Sequence, residues 1–173
     1  DNHFNDSVSD INSIGNYDFL VLIIDTDNVS GEQKMEEVHE FINTNNILLI
    51  NCELVIIPQV VCMETWFLGN RRIYARNSSS IDISFYSEHY DVSNNDPELM
   101  SIPSNYSGTI GEFHYNYLKA MLREKNIRYN KTSTKDVGES YYINELEARL
   151  KHDTNSLNSM RYLFSFLKQI QQV

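Results

Sequence analysis

Hydrophobic and polar positions are most sharply separated in the segment DFLVLIIDTDN, residues 18–28, where six apolar residues follow one another. Such a run, rich in Leu, Ile and Val and without alternation, is typical of a strand buried on both faces of a parallel sheet. Asp25 and Asp27 follow the run directly. Ligands of open α/β sheets bind just beyond the carboxyl ends of the strands. The pattern therefore predicts a central strand with a candidate site at its end.

The pattern then changes to helical spacing. Ser30 is the predicted N-cap of a helix that ends in the Asn-rich residues 43–46. Two short apolar runs follow at residues 47–50 and 53–57, the second closed by Pro58, and we predict that one or both are strands. The order strand, helix, strand implies a right-handed parallel crossover.

Helical spacing returns at residues 60–70, whereas residues 77–110 are rich in Ser, Asn, Asp and Tyr and are predicted to be a long polar loop or insertion. Within that stretch, Ile81, Ile83 and Phe85 alternate in a way that allows a short strand. Three helices are predicted after it. Their apolar positions are Phe113, Tyr117, Leu118, Met121 and Leu122; Ile143, Leu146 and Leu150; and Leu157, Met160, Leu163, Phe164, Leu167 and Ile170. The sequence thus predicts an α/β fold with a small, mainly parallel sheet flanked by helices.

Composition narrows the class of protein. With 173 residues, 41% of them hydrophobic, the chain is expected to form a single domain over residues 1–173. The formal net charge of −10 argues against a dominant basic face for duplex DNA but is compatible with a local basic groove. Cys52 and Cys62 are predicted to be buried free thiols in a reducing cytoplasm. Neither a run of about 18 apolar residues nor a signal-peptide pattern occurs, so no membrane span or secretion is indicated.

Asp25 and Asp27 are candidate metal ligands, because two carboxylates one residue apart offer the hard oxygen atoms that Mg²⁺ prefers. The alternative is a solvated turn in which Asp27 or Asn28 caps the next helix. A calcium-binding EF-hand loop does not fit. Val29 would take its fifth position, and Ser30 would take the sixth, where the sharp turn requires glycine.

Glu64 lies beside Trp66, the only tryptophan, in an apolar segment. A carboxylate buried there needs a cation or a hydrogen-bond partner. Glu64 is therefore a second candidate site residue, unless it points outward or caps the start of a helix. The five histidines form no HExxH pair, and the chain has no GxxxxGK[ST] or GxGxxG loop, so the motifs of zinc and nucleotide-phosphate sites are absent.

A family resemblance rests on the order of these features: DFLVLIIDTD, a helix, a strand, METWFLGN, and finally YNKT with NSLNSMRYLFSFL. This order resembles the TOPRIM-like proteins that occur near bacterial defence genes and are related to the RloB and OLD-type nucleases. The resemblance covers about residues 18–75 and 129–170 and leaves the middle loop unmatched. It implies a TOPRIM-like fold. TOPRIM domains bind magnesium through an early glutamate and a later DxD, and they catalyse phosphoryl transfer on nucleic acid.

The resemblance also assigns roles to particular residues. It implies that Asp25 and Asp27 hold Mg²⁺ or Mn²⁺, and that Glu64 is a further ligand or orients a water molecule. Lys131, in YNKT, would approach a phosphate; its alternative role is that of a solvated surface lysine. The early glutamate has no match in residues 1–17, as expected if the domain lacks its first strand.

Three functional hypotheses follow. The first is a Mg²⁺-dependent nuclease, or nuclease-like subunit, that acts on nucleic acid with a protein partner in prokaryotic anti-phage defence. The second is a catalytically silent TOPRIM-like module that binds a partner protein or senses a phage product. An exposed apolar patch on the C-terminal helices, without a metal cluster, would favour this module. The third is an acidic decoy of nucleic acid, which would need carboxylates spread over one surface.

Overall fold

The computed structural model describes residues 2–74 and 80–171. Within these ranges the chain forms seven α-helices and one two-stranded parallel sheet, which confirms an α/β protein with a small parallel sheet. The chain divides into two compact units, Asp1–Gln59 and Val60–Val173. The single domain over residues 1–173 stays a prediction, as does the TOPRIM-like topology.

The first unit contains both strands. Its elements are α1 (Asn2–Ile14), β1 (Phe19–Asp25), α2 (Gly31–Thr44) and β2 (Glu53–Gln59). The predicted strand after residue 18, the helix after Ser30 and the parallel crossover are therefore confirmed. Ser30 caps α2 as expected, because its Oγ accepts a hydrogen bond of 3.1 Å from the backbone N–H of Gln33.

Helix α1 lies outside the predicted elements. Its signal in the sequence is the three-residue spacing of Val8 and Ile11, which are 6% and 9% exposed. Phe4 of the same helix lines an apolar cavity of about 240 Å³, which it shares with Leu22 and Ile24 of β1 and with residues of α2. One face of β1 is thus partly shielded by helices of its own unit, and Leu22 and Ile24 are half-buried.

The register of the sheet is continuous. Phe19 pairs with Glu53 at one end, and Asp25 pairs with Gln59 at the other. Only the second of the two apolar runs is a strand, since residues 47–50 lie outside both strands. The predicted end of β2 before Pro58 is wrong by two residues, because the strand continues to Gln59. Proline lacks the N–H that a central strand would need, but it is tolerated in a strand with a single neighbour.

The second unit is helical in the part that the structure describes. Its helices are α3 (Met63–Phe67), α4 (Ile81–His89), α5 (Ile110–Glu124), α6 (Ser140–His152) and α7 (Asn158–Ile170), with short 3₁₀ turns at Pro97–Leu99 and Lys135–Gly138. The three predicted C-terminal helices are confirmed as α5, α6 and α7. A capping box begins α5, because Thr109 Oγ1 accepts from the Glu112 N–H and the Glu112 carboxylate accepts from the Thr109 N–H.

The prediction that residues 81–85 could form a short strand is wrong, because these residues begin helix α4. Ile83 is 1% exposed, whereas Ile81 is 87% and Phe85 41% exposed, so the three alternating apolar residues do not share one buried face. The predicted loop over residues 77–110 therefore contains a helix and a 3₁₀ turn. Its first residues, 77–79, lie outside the described part of the chain.

Helix α3 is shorter than the helical pattern of residues 60–70 indicates. Val61 has a positive φ of 61°, and Cys62 is extended with φ −162° and ψ 173°. A right-handed helix cannot pass through these conformations, so it begins only at Met63. This backbone arrangement places Glu64 in the first turn of the helix.

Candidate functional site

The carboxyl end of β1 carries two exposed carboxylates. Asp25 is the last residue of the strand, and Asp27 sits in a turn closed by a 3.1 Å hydrogen bond from the Val29 N–H to the Thr26 carbonyl oxygen. Asp27 has a φ of 52°, a left-handed conformation in which Asp and Asn are more frequent than other non-glycine residues. Since Ser30 caps α2, neither Asp27 nor Asn28 serves as its N-cap.

Gln59 adds a polar group at the same end of the sheet. It pairs with Asp25 in the strand register and is 2% exposed. Its amide Nε2 is buried, and no acceptor for it lies within hydrogen-bond distance among the residues that the structure describes. A buried donor without an acceptor is unusual in folded proteins and calls for a physical explanation. A ligand oxygen at this end of the sheet would satisfy it.

The face of β1 that includes Asp25 also exposes a row of apolar side chains. Phe19, Val21 and Ile23 are 38%, 37% and 41% exposed. Within residues 2–74 and 80–171, β1 has one strand neighbour, β2. The uninterrupted apolar run predicts burial on both faces, which is wrong: this face is exposed, and Leu20, Leu22 and Ile24 on the other face are only half-buried.

Negative charge is concentrated in the same unit. Residues 60–173 contain as many acidic as basic side chains, so the whole net charge of −10 falls on residues 1–59. Lys34 is the only Lys or Arg of that segment, and it forms a 2.8 Å salt bridge with Glu37. Carboxylates stand at both ends of the apolar row: Asp18 precedes β1, and Asp25 ends it.

Glu64 lies in a different environment, in the interior of the second unit. It is 3% exposed, and its Oε1 accepts a 2.8 Å hydrogen bond from the hydroxyl of Tyr129. Burial and the neighbouring Glu64 carboxylate raise the pKa of the Cys62 thiol to about 12. Cys62 therefore stays protonated at neutral pH, the less reactive form of a thiol.

A buried hydroxyl and imidazole pair adjoins Glu64. His114 Nε2 lies 3.2 Å from the Met100 carbonyl oxygen and must donate to it, so Nδ1 accepts the 2.8 Å hydrogen bond from Thr65 Oγ1. Burial lowers the pKa of His114 to about 4. Thr65 and His114 are both 0% exposed, so the pair connects α3 to α5 instead of facing a substrate.

Lys131 lies on the surface of the second unit. Its Nζ is 5.8 Å from the ring centroid of Tyr115, and Lys119 Nζ is 5.5 Å from the same ring. An open cleft of about 570 Å³ lies nearby, with Lys119, Arg123 and Arg128 among its lining residues. The sequence signal for this basic surface is the frequency of Lys and Arg between residues 119 and 135.

The predicted site residues thus fall in two separate units. Asp25 and Asp27 belong to residues 1–59, while Glu64 and Lys131 belong to residues 60–173. Among the described residues, no three His, Cys, Asp or Glu side chains are grouped so that they could hold a metal ion. Both cysteines are free thiols, as predicted, but the predicted burial is confirmed only for Cys62, because Cys52 is half-buried.

Comparisons with protein-family models, with curated proteins and with solved structures give no match to this chain. In the described part of the chain, none of the helices has the length and apolar character needed to cross a membrane.

Proposed function

We propose that this chain is a protein-binding module, in which β1 pairs with an extended segment of a basic partner protein. The exposed face of β1 carries the proposal. A strand with apolar side chains on both faces suits the interior of a sheet, yet Phe19, Val21 and Ile23 remain more than a third exposed. An added strand would pair with the second edge of β1, and its own apolar side chains would pack beside this row on the same face, the recognition mode known as β-augmentation.

Charge indicates the chemistry of the partner. The apolar row lies between Asp18 at one end and Asp25 and Asp27 at the other. Glu53 pairs directly with Phe19 and adds a further carboxylate at the first end. A segment with an apolar centre and Lys or Arg at both ends would complement this face, and opposite charges would speed its association at low salt.

Exposed apolar side chains on the C-terminal helices give additional support. Tyr141, Tyr162 and Leu167 are 52%, 52% and 39% exposed. Together with the absence of a grouped metal set among the described residues, these exposures favour the binding module over the enzyme. The resemblance to TOPRIM-like defence proteins suggests a defence complex as its setting.

The test uses two synthetic peptides with the same alternating Val and Thr centre, one flanked by lysines and one by glutamates. Binding is measured by fluorescence anisotropy at low and high salt. We expect the lysine-flanked peptide to bind about tenfold more tightly or better, a difference of about 1.4 kcal/mol, and to weaken as salt rises. Ile23→Lys should abolish its binding, because the added charge opposes strand pairing at this edge.

Leu48→Lys is the matched control. Leu48 is 70% exposed in the same unit but lies outside both strands, and the substitution makes the same change in charge. The proposal fails if neither peptide binds, if both bind equally, or if Leu48→Lys weakens binding as much as Ile23→Lys. Concentration-dependent self-association that Ile23→Lys abolishes would instead identify a second copy of the chain as the occupant.

The second candidate function is the predicted Mg²⁺-dependent nuclease. Two observations at the end of the sheet favour it. Asp25 and Asp27 are exposed, and the buried Gln59 Nε2 has no hydrogen-bond acceptor among the described residues. These residues fit a partial set, because Mg²⁺ in proteins often uses one or two carboxylates and keeps several waters. A bound ion would polarise a phosphodiester. Asp25 and Asp27 would hold it, while Gln59 would donate to a phosphate oxygen.

Calorimetry with Mg²⁺ and Mn²⁺ tests this second candidate. Asp25→Asn/Asp27→Asn should remove the binding isotherm, and Asp6→Asn/Asp10→Asn, which changes the charge equally on α1, should retain it. No isotherm with the unmodified chain, or equal loss in both double variants, would rule out a metal site at the strand end. The peptide experiment does not depend on this result.

A further inference from the structure

We propose that the cleft between α6 and α7 binds a phosphate group, either free or carried by a nucleotide. The cleft has a volume of about 320 Å³. Cations and hydroxyls dominate its polar lining, which consists of Lys151, Arg161, Lys168, Thr154, Ser165 and a single carboxylate, Glu147. This proposal concerns residues 60–173 alone and is independent of the role assigned to β1.

Arg161 provides a fixed cation in the lining of the cleft. Its Nη1 donates to the Leu150 carbonyl oxygen at 2.7 Å, and its Nη2 donates to the carbonyl oxygens of Asp153 at 2.8 Å and Ser156 at 3.2 Å. These bonds hold the guanidinium against the carboxyl end of α6. The negative partial charge of that helix end, which would repel an anion, is therefore offset by a positive group.

One donor of Arg161 remains available. Its Nε is buried, and the described part of the chain offers no acceptor within hydrogen-bond distance. A buried N–H without an acceptor is costly. An oxyanion in the cleft would supply the acceptor and would form a charge-assisted hydrogen bond, which is stronger than a neutral one.

Two exposed lysines complete the cationic lining. Lys168 is seven residues after Arg161 and lies on the same side of α7, and Lys151 lies in the last turn of α6. Within the described ranges, no carboxylate lies within 4.0 Å of either ammonium group. Both lysines are thus free to move toward a ligand.

The geometry favours a phosphate over a carboxylate. The guanidinium, the two ammonium groups and the hydroxyls of Thr154 and Ser165 offer donors from both helices and from the segment between them. A phosphate has enough acceptor oxygens to use donors from several directions at once, whereas a carboxylate has two.

The experiment titrates the full chain with inorganic phosphate at constant ionic strength and follows the amide NMR signals of Thr154 and Ser165. The test variant is Lys151→Gln/Lys168→Gln, which leaves the structural Arg161 in place. The control is Lys125→Gln/Lys135→Gln, which removes the same charge from exposed lysines outside the cleft. We expect the cleft variant to bind phosphate at least about tenfold more weakly and the control to match the unmodified chain.

Two further arms separate the sources of the phosphate and test its selectivity. Tighter binding of AMP than of inorganic phosphate supports a nucleotide ligand, and equal binding supports free phosphate. The proposal is overturned if phosphate does not shift these signals, if acetate shifts them equally well, or if both double variants bind like the unmodified chain.

Discussion

Residues 60–173 contain an interior of fully buried large apolar side chains, whereas in residues 1–59 the apolar row on β1 remains partly open to solvent. Among the described residues, the large side chains less than 2% exposed all come from the second unit except Ile57: Tyr117, Tyr142, Phe113, Leu68, Ile83, Met100, Leu118, Met121, Leu122, Leu146 and Leu157. The charge differs in the same way, since the second unit is neutral by formal count and the first carries the net −10.

This contrast indicates a division of roles. A two-stranded sheet is marginally stable by itself, and clustered like charge destabilises the compact state. The first unit therefore stands to gain most from a partner that covers apolar surface and brings positive charge. The second unit has most of its large buried apolar side chains enclosed within itself and therefore depends less on a partner.

The largest expected effect is at Arg149, which is 2% exposed in the second unit. Its guanidinium donates to the carbonyl oxygens of Gly69, Val92 and Asn95 at 3.2, 2.8 and 2.7 Å. Arg149→Met would leave these acceptors unsatisfied and should lower the free energy of unfolding by roughly 3 kcal/mol. Trp66, the only tryptophan, reports this unit's unfolding by fluorescence in a denaturant titration.

Arg123→Met is the control for Arg149→Met. Arg123 forms a 2.7 Å salt bridge with Asp82, but the two side chains are 66% and 62% exposed, so screening by solvent leaves the pair with a contribution of about 0.5 kcal/mol or less. If the two substitutions lowered stability equally, the second unit would not depend on its buried hydrogen bonds, and the contrast between the units would be weakened.

The next effect comes from pH and approaches the size of the Arg149 effect only in acid. Burial lowers the pKa of His114 to about 4 from its ordinary value of 6.5. As pH falls from 6.5 toward 4, the unfolded chain binds a proton that the folded chain excludes, so stability decreases through this window by up to about 3 kcal/mol. The contribution of neutral His114 to the free energy of unfolding is fully present above pH 6.5.

His114→Gln should flatten this part of the stability curve, measured by denaturant unfolding at successive pH values with Trp66 fluorescence. The exposed His152, at the end of α6, provides the control, and His152→Gln should keep the slope of the unmodified chain. An unchanged slope in His114→Gln would show that acid instability arises elsewhere, for example from carboxylates of the first unit.

The elements that periodicity predicted well are those whose burial follows the local pattern. β1, α2 and α5 each carry a regular apolar face or run together with a recognisable cap or end, and local sequence determines these features. The strand allowed at residues 81–85 is wrong because alternation over three positions does not reveal which side chains the rest of the fold will bury. Helix α3 begins late because of backbone conformations at Val61 and Cys62 that apolar spacing does not encode.

The candidate sites were predictable to a smaller extent. The position of Asp25 at the end of a parallel strand follows from the sequence, because strand direction fixes it. The partners of Glu64 and the unsatisfied Nε of Arg161 cannot be predicted from the sequence. They depend on side chains that are distant in the chain, such as Tyr129. Only tertiary structure brings such groups together.

The mildest test is chemical labelling of the two thiols, one in each unit, which serve as local reporters of solvent access. Cys52 is half-buried in the first unit, whereas Cys62 is 5% exposed and burial raises its pKa to about 12. Because the thiolate is the reactive form, a neutral maleimide should modify Cys62 about a hundredfold more slowly than Cys52 in the native protein. Mass spectrometry of Cys52→Ser and Cys62→Ser variants measures each rate separately, and in denaturant the two rates should converge. Equal native rates would mean that the interior around Glu64 opens as readily as the first unit, and the proposed division between a stable and a partner-dependent part would fail.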